Sequence, residues 1–300
     1  MKKFMVLSAI TIALSSFGAS AATTTWEGQS PIDFNSSNVI SAPNNAVIQY
    51  HYTTDSITLK NTANAGVGRE WGSLKATPAT TNNYVTINGE KYILAQFHFH
   101  TESEHTVGGI HTPMEMHLVH LKMHDNGLPY CVGEPGSLLV IGAFIKEGAR
   151  NAELDKIFGL PNLATLADGA TYATPISPIN IKKLLPNSGA SYRYHGSLTA
   201  PTDVSCLTSD YANINYDSSV AAQKDDKSLG RDGSFPEAVS WVVLSSPISM
   251  SHAQIAVFEE LFPKTLATPE ANSRPTQNVI HNAEEPILRN TDRKVLFIKN

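Results

Sequence analysis

Two short runs carry side chains that could hold a metal. The first is Gln96-Phe-His-Phe-His100. In an extended strand alternate residues share a side, so Gln96, His98 and His100 point one way and Phe97 and Phe99 the other. The phenylalanines can bury in a core while the two imidazoles form a claw, a natural half of a zinc site. The second run, Met114-Glu-Met-His-Leu-Val-His120, alternates in the same manner, with Glu115, His117 and Val119 on one face and Met116, Leu118 and His120 on the other. If these strands pair, His117 completes a three-histidine set. Gln96 and Glu115 then stand where they can hydrogen-bond the second ring nitrogens, which fixes the tautomer and raises ligand basicity. Three neutral ligands leave a fourth position for water, the catalytic rather than the structural pattern. Coincidence is one competing reading, and a cupin motif is another, since His98-x-His100 with Glu104 fits its first half. A cupin would also pair Pro-x-Gly with a nearby histidine, and after Pro135-Gly136 none occurs before His195.

The elements that must position these residues are mostly strands. Runs at 46–52, 56–59, 84–87, 91–100, 115–123, 138–145 and 239–244 are rich in β-branched, aromatic and alternating residues. Asn88-Gly89 between two of them is a type I′ hairpin signal. Helices are predicted at 151–158 and at 251–262, where Ser251 and Gln254 form a capping box and Ile255, Phe258 and Phe262 share one face. The chain has 300 residues, 41% of them hydrophobic and 16% charged, which can build a large core and excludes a disordered protein. Its net charge of −5 without a basic stripe disfavours nucleic acid as a partner. Eleven histidines are many for so little charge, and they crowd between His98 and His124.

Residues 1–21 read as a signal peptide. Lys2 and Lys3 precede a short apolar run, and Ala19-Ser20-Ala21 supplies a small-x-small cleavage box. The run is too short to span a bilayer, and no later stretch reaches the necessary length, so no membrane span is expected. The expected location is the periplasm, or outside the cell. In an oxidising compartment Cys131 and Cys206 form a candidate disulfide. Residues 22–300 are expected to be one domain, with 207–236 a polar loop insertion.

The motifs Gln29-Ser-Pro-Ile-Asp33, Gln96-Phe-His-Phe-His100, Ser103-Glu-His105, Glu115-Met-His-Leu-Val-His120, Tyr194-His-Gly-Ser-Leu-Thr199 and Asn272-Ser-Arg-Pro-Thr-Gln277 occur in that order. Together they resemble the α-class carbonic anhydrases, most closely the bacterial periplasmic members. The resemblance implies a mainly β single domain with a few short helices, around a twisted, mostly antiparallel ten-stranded sheet. It implies the reversible hydration of carbon dioxide to bicarbonate and a proton by hydroxide on Zn2+. In this likeness His98, His100 and His117 match the zinc ligands. Gln96, Glu115 and the carbonyl of Asn272 match the groups that hold those ligands. Thr199 matches a hydroxyl that donates to Glu104 and orients the nucleophile. Val119, Val140, Leu198, Val239 and Trp241 match the apolar wall where substrate rests, and His105 and Tyr194 match a buried hydrogen-bonded pair.

Several positions depart from the family pattern. The catalytic loop reads Thr199-Ala-Pro-Thr-Asp203, so Ala200 and Thr202 stand where a threonine and a proline are usual. Asn64 occupies the position matched to the family's proton-shuttle histidine, and an amide cannot titrate. His51, His111 and His124 are read as surface residues. Two other function classes compete. One is a catalytically weak, carbonic-anhydrase-like binding protein, which would usually lack a zinc histidine. The other is a periplasmic zinc-binding carrier, which would want an exposed, exchangeable site. The resemblance is compatible with a homodimer.

Overall fold

The computed structural model describes residues 28–42, 48–63, 72–124, 127, 130, 136–200, 239–264, 272–277 and 287–290. The signal peptide at 1–21, Asn64, Cys131, Cys206, Thr202 and the insertion at 207–236 lie outside the described residues. In chain order the strands are β1 (Asp33–Phe34), β2 (Val39–Ala42), β3 (Ile48–His51), β4 (Thr54–Asp55), β5 (Ile57–Asn61), β6 (Leu74–Pro78), β7 (Tyr84–Ile87), β8 (Glu90–His100), β9 (Thr106–Val107), β10 (Met114–Lys122), β11 (Leu138–Glu147), β12 (Ile179–Asn180), β13 (Ser191–Gly196), β14 (Val239–Met250) and β15 (Ile287–Asn290). Two α-helices accompany them, α1 (Asp155–Phe158) and α2 (His252–Leu261).

One large sheet organises the domain, in the order β2-β15-β13-β14-β11-β10-β8-β6-β5, with β7 and β3 attached through β8. Among the described residues that makes eleven strands where ten were expected. The sheet is mixed. β11 runs parallel to β14 and β15 parallel to β2, and its other pairings are antiparallel. Parallel pairing needs a long crossover, and the chain between β11 and β14 supplies one. β11 is buried at each of its first eight residues, as suits a central strand covered on both faces.

The sheet separates two apolar groups. On one side Phe97, Phe99, Met116 and Leu118 pack with Phe258 of α2 in the main core. On the other, Val119, Val140, Leu198, Val239 and Trp241 belong to a second cluster. The β7–β8 turn has the predicted form, with φ of 52° at Asn88 and 90° at Gly89. α2 carries the predicted capping box. α1 covers Asp155–Phe158 within the expected 151–158, and the Asn151 side chain caps the turn ahead of it by accepting from the backbone N–H of Glu153 and Leu154. His51 also departs from expectation. It is buried and stacked on Tyr84 with ring centroids 4.3 Å apart, because its strand pairs with β7.

Candidate metal centre

β8 and β10 pair antiparallel with His117 directly opposite His98 and Glu115 opposite His100. This register places the three histidine rings on one face. Ring nitrogens of His98, His100 and His117 all lie within 4.8 Å of one another. Each ring has its other nitrogen held from outside. His98 Nδ1 donates to Gln96 Oε1 at 2.8 Å, and His100 Nδ1 donates to the Asn272 carbonyl at 2.8 Å. His117 Nε2 donates to Glu115 Oε1 at 3.0 Å. The nitrogens left over are His98 Nε2, His100 Nε2 and His117 Nδ1, and His100 Nε2 is buried with no hydrogen-bond partner among the described residues. A buried acceptor without a donor is costly unless something binds it. Three neutral imidazoles converging in this way fit a zinc ion.

The outer contacts are themselves fixed. Glu115 is fully buried and also accepts from His105 Nδ1 at 2.8 Å and from the His105 N–H at 2.9 Å. Burial opposes ionisation of its carboxyl, but His105 and His117 outweigh that and hold it well below the usual carboxylate range. Burial likewise opposes charge on His117, yet Glu115 draws its basicity up. At His98 and His100 burial dominates and keeps the rings neutral, the state in which imidazole binds metal. Asn272 is held in turn by its side chain, which accepts from the Thr101 N–H at 3.0 Å and donates to the Phe99 carbonyl at 2.8 Å.

Glu104 stands beside the cluster, with Oε2 3.8 Å from His117 Nδ1. Its expected hydrogen bond from Thr199 is not formed. Glu104 Oε1 accepts from the Arg274 backbone N–H at 2.8 Å, and Oε2 has no hydrogen-bond partner among the described residues. Thr199 itself is buried. His105 Nε2 lies 2.6 Å from the Tyr194 hydroxyl, which is 2.8 Å from Ser30 Oγ. The apolar residues singled out in the sequence pack into one group that meets the histidines at Trp241. Trp241 packs edge-on against His117 with centroids 4.9 Å apart and donates its indole N–H to the Ser197 carbonyl at 3.0 Å.

Two important residues carried no assigned role in the sequence reading. Arg274 is buried, and its guanidinium donates to the Ser30 carbonyl at 2.6 Å, to Gln29 Oε1 at 3.3 Å and to the Leu198 carbonyl at 3.5 Å. It ties residues 29–30 to the loop carrying Thr199, and burial lowers its basicity to about 10. Gly142 lies opposite His117 on β11, and a Cβ there would come within 2.9 Å of Glu115 Oε1. A glycine inside an otherwise buried apolar strand is a readable sign of such close approach.

A mixed, curled sheet whose interior face presents three converging imidazoles defines a β protein with a mononuclear candidate metal centre. Comparison with known proteins narrows the class. The profile of the eukaryotic-type carbonic anhydrase family matches residues 16–208. A carbonic anhydrase of Klebsiella pneumoniae is 31% identical over 228 residues, covering 76% of this chain and 68% of that protein. The α-carbonic anhydrase of Thermovibrio ammonificans, solved with the inhibitor sulfanilamide, is 29% identical with a TM-score of 0.59, covering 87% of this chain and 86% of the other. That of Photobacterium profundum is 26% identical with a TM-score of 0.56, covering 87% and 88%. The chain belongs to the eukaryotic-type carbonic anhydrase family.

Proposed function

We propose that this protein catalyses the zinc-dependent, reversible hydration of carbon dioxide to bicarbonate and a proton. The observation that carries this reading is the set of three inward ring nitrogens left over when Gln96, Asn272 and Glu115 have taken the outer ones. Zinc held there would act as a Lewis acid that lowers the pKa of bound water to about 7, a magnitude for which carbonic anhydrase is itself the type example.

The protein's own residues do the rest. Gln96, Asn272 and Glu115 orient the ligands so that no rotation is needed to bind. Val119, Val140, Leu198, Val239 and Trp241 are buried together and offer an uncharged surface, which suits a substrate with no charge or dipole. Glu104 presents an acceptor oxygen with no other partner beside His117. A Thr199 hydroxyl that donates to that oxygen would be left accepting from the nucleophile and aiming it. We further propose that residues 1–21 export the protein to the periplasm and that Cys131 and Cys206 are bridged there. With Asn64 in the shuttle position, proton export would limit turnover. Asn64→His should then raise kcat at low buffer by up to about 10²-fold, the scale of a positioned proton-transfer group.

Stopped-flow hydration with a pH indicator tests the main reading. Activity that disappears with a chelator and returns with zinc supports it. A zinc-loaded protein that does not hydrate carbon dioxide overturns it.

A further inference from the structure

β8 is held along both edges, and the two edges are built differently where the histidines stand. Toward β10 the ladder is continuous, with His98, Phe99 and His100 opposite His117, Met116 and Glu115. Toward β6 the register joins Ala76 to Phe97 and runs no further among the described residues. Phe99, two residues beyond Phe97, directs its backbone N–H and C=O to that second edge, where they meet a side chain in place of a strand. Ser73 Oγ accepts from the Phe99 N–H at 3.1 Å and donates to the Phe99 carbonyl at 2.6 Å. One hydroxyl thus satisfies both groups that a neighbouring strand would otherwise take.

Phe99 lies between His98 and His100, so the hydroxyl of Ser73 fixes the piece of backbone from which both rings project. Ser73 is buried and is anchored in turn by Thr62. Its N–H donates to Thr62 Oγ1 at 2.9 Å, and its carbonyl accepts from the Thr62 N–H at 2.8 Å and from Thr62 Oγ1 at 2.9 Å. The Phe99 carbonyl also accepts from Asn272 Nδ2 at 2.8 Å, and the Asn272 carbonyl is the acceptor for His100 Nδ1. Ser73 therefore bears on His100 twice, through the adjoining backbone and through the residue that holds its outer nitrogen. Loss of the hydroxyl would leave a buried N–H without an acceptor, and the strand would have to move to find another. A metal site tolerates ligand displacements of only about 0.2 Å, so a small movement there is felt at the rings.

We propose that Ser73 is a positioning residue for the three-histidine centre, its hydroxyl standing in for a strand neighbour at Phe99 and so setting the spacing and tilt of His98 and His100. This inference rests on the reading of the three histidines as zinc ligands and is independent of the hydration chemistry.

The test uses the full chain with Ser73→Ala, Ser73→Thr and Thr62→Val, loaded with zinc or with cobalt. Chelator competition reads zinc affinity. The visible absorption of the cobalt form reads ligand geometry, because four-coordinate cobalt absorbs far more strongly than cobalt with more ligands. Ser73→Ala should weaken zinc about 10-fold, the scale for losing an outer partner of a ligand, and should change the cobalt bands. A loss of packing that left the ligands in place would not move those bands. Ser73→Thr keeps the hydroxyl and should restore both the affinity and the spectrum. Thr62→Val removes only the side-chain anchor of Ser73 and should weaken zinc about threefold, the low end of one hydrogen bond's net worth. Zinc affinity and cobalt spectrum equal to wild type in Ser73→Ala would overturn the proposal, whatever the variant's stability. If Ser73→Ala does not fold, wild-type values of both in Thr62→Val overturn it instead. A wild type that binds zinc but does not hydrate carbon dioxide fails the hydration reading alone, and the zinc and cobalt measurements still decide the role of Ser73. A wild type that binds no zinc overturns the ligand reading and this proposal with it.

Discussion

The three histidines that meet on β8 and β10 and two buried histidines near them, His105 and His120, are satisfied differently. His98, His100 and His117 each have one nitrogen held by the protein and the other directed at a common point. His120, three residues beyond His117 and on the opposite face, has both nitrogens engaged. Its Nδ1 donates to the Leu139 carbonyl at 3.2 Å, and its Nε2 accepts from the Tyr52 hydroxyl at 2.7 Å. His105 is likewise held at both ends, by Glu115 and Tyr194. Burial alone therefore does not distinguish a ligand from a core histidine. An open nitrogen is not sufficient either, since buried His51 has neither ring nitrogen hydrogen-bonded among the described residues. What sets the cluster apart is open nitrogens of three histidines directed at one another.

The contrast can be broken most severely at His117. His117→Ala should weaken zinc on the order of 10³-fold, roughly one ligand's share of the binding energy of a structural zinc site. Hydration should fall to background while the far-ultraviolet circular dichroism stays native, since the fold is held by the two apolar clusters. Retention of one zinc per chain in that variant would contradict the ligand assignment. Thr199→Ala tests the chemistry without the metal. Hydration should slow by roughly 10²-fold with zinc content unchanged, the usual scale for losing a preorganised hydrogen-bond partner. Parallel loss of zinc would assign Thr199 to the structure instead.

Gly142→Ala sharpens the comparison at the supporting layer. The new methyl group would push on Glu115 Oε1 and so disturb the hold on His117. Zinc affinity should drop by about 10-fold, within the range seen when an outer partner of a ligand is lost. Affinity equal to wild type would show that the carboxylate yields without cost.

His120→Phe should leave zinc and hydration unaltered and act only on stability. Burial lowers the basicity of His120 to about 4, against about 6.5 in an unfolded chain. The unfolded state therefore takes up the proton more readily. The stability due to the neutral ring is complete above about pH 6.5 and is lost as pH falls toward about 4. Between about pH 7 and pH 5 the wild type should lose on the order of 2 kcal/mol from this residue, and the phenylalanine variant should not. Urea unfolding at the two pH values reads the difference. An identical pH dependence in both proteins would mean that His120 is not held neutral.

Much of the site was legible because β-strands have a period of two. Phe97 and Phe99 between the histidines predicted a core face and a donor face, and the structure separates them in that way. Asn88-Gly89 and the Ser251–Gln254 box were legible because they depend on local φ values and local hydrogen bonds. Other features were not local. Whether β11 and β14 run parallel depends on the path of the intervening chain. The sheet is mostly antiparallel, as expected, but which two of its pairings are parallel, and the eleventh strand among the described residues, were not legible. His51 was read as a surface residue because nothing in its neighbours announces the stacking partner, Tyr84, that covers it from another strand.

The sequence by itself determined which residue types alternate on each strand, and hence that Gln96, His98, His100, Glu115 and His117 could serve one face. Alternation follows from backbone geometry within a single strand and needs no partner. Only the tertiary structure decided which of the histidines keep a nitrogen open toward one another and that the Arg274 backbone N–H donates to Glu104 Oε1. Those outcomes depend on register between strands distant in sequence and on the few hydrogen-bond partners that register brings within reach. A shift of one residue in such a pairing would turn the strand's side chains to the other face.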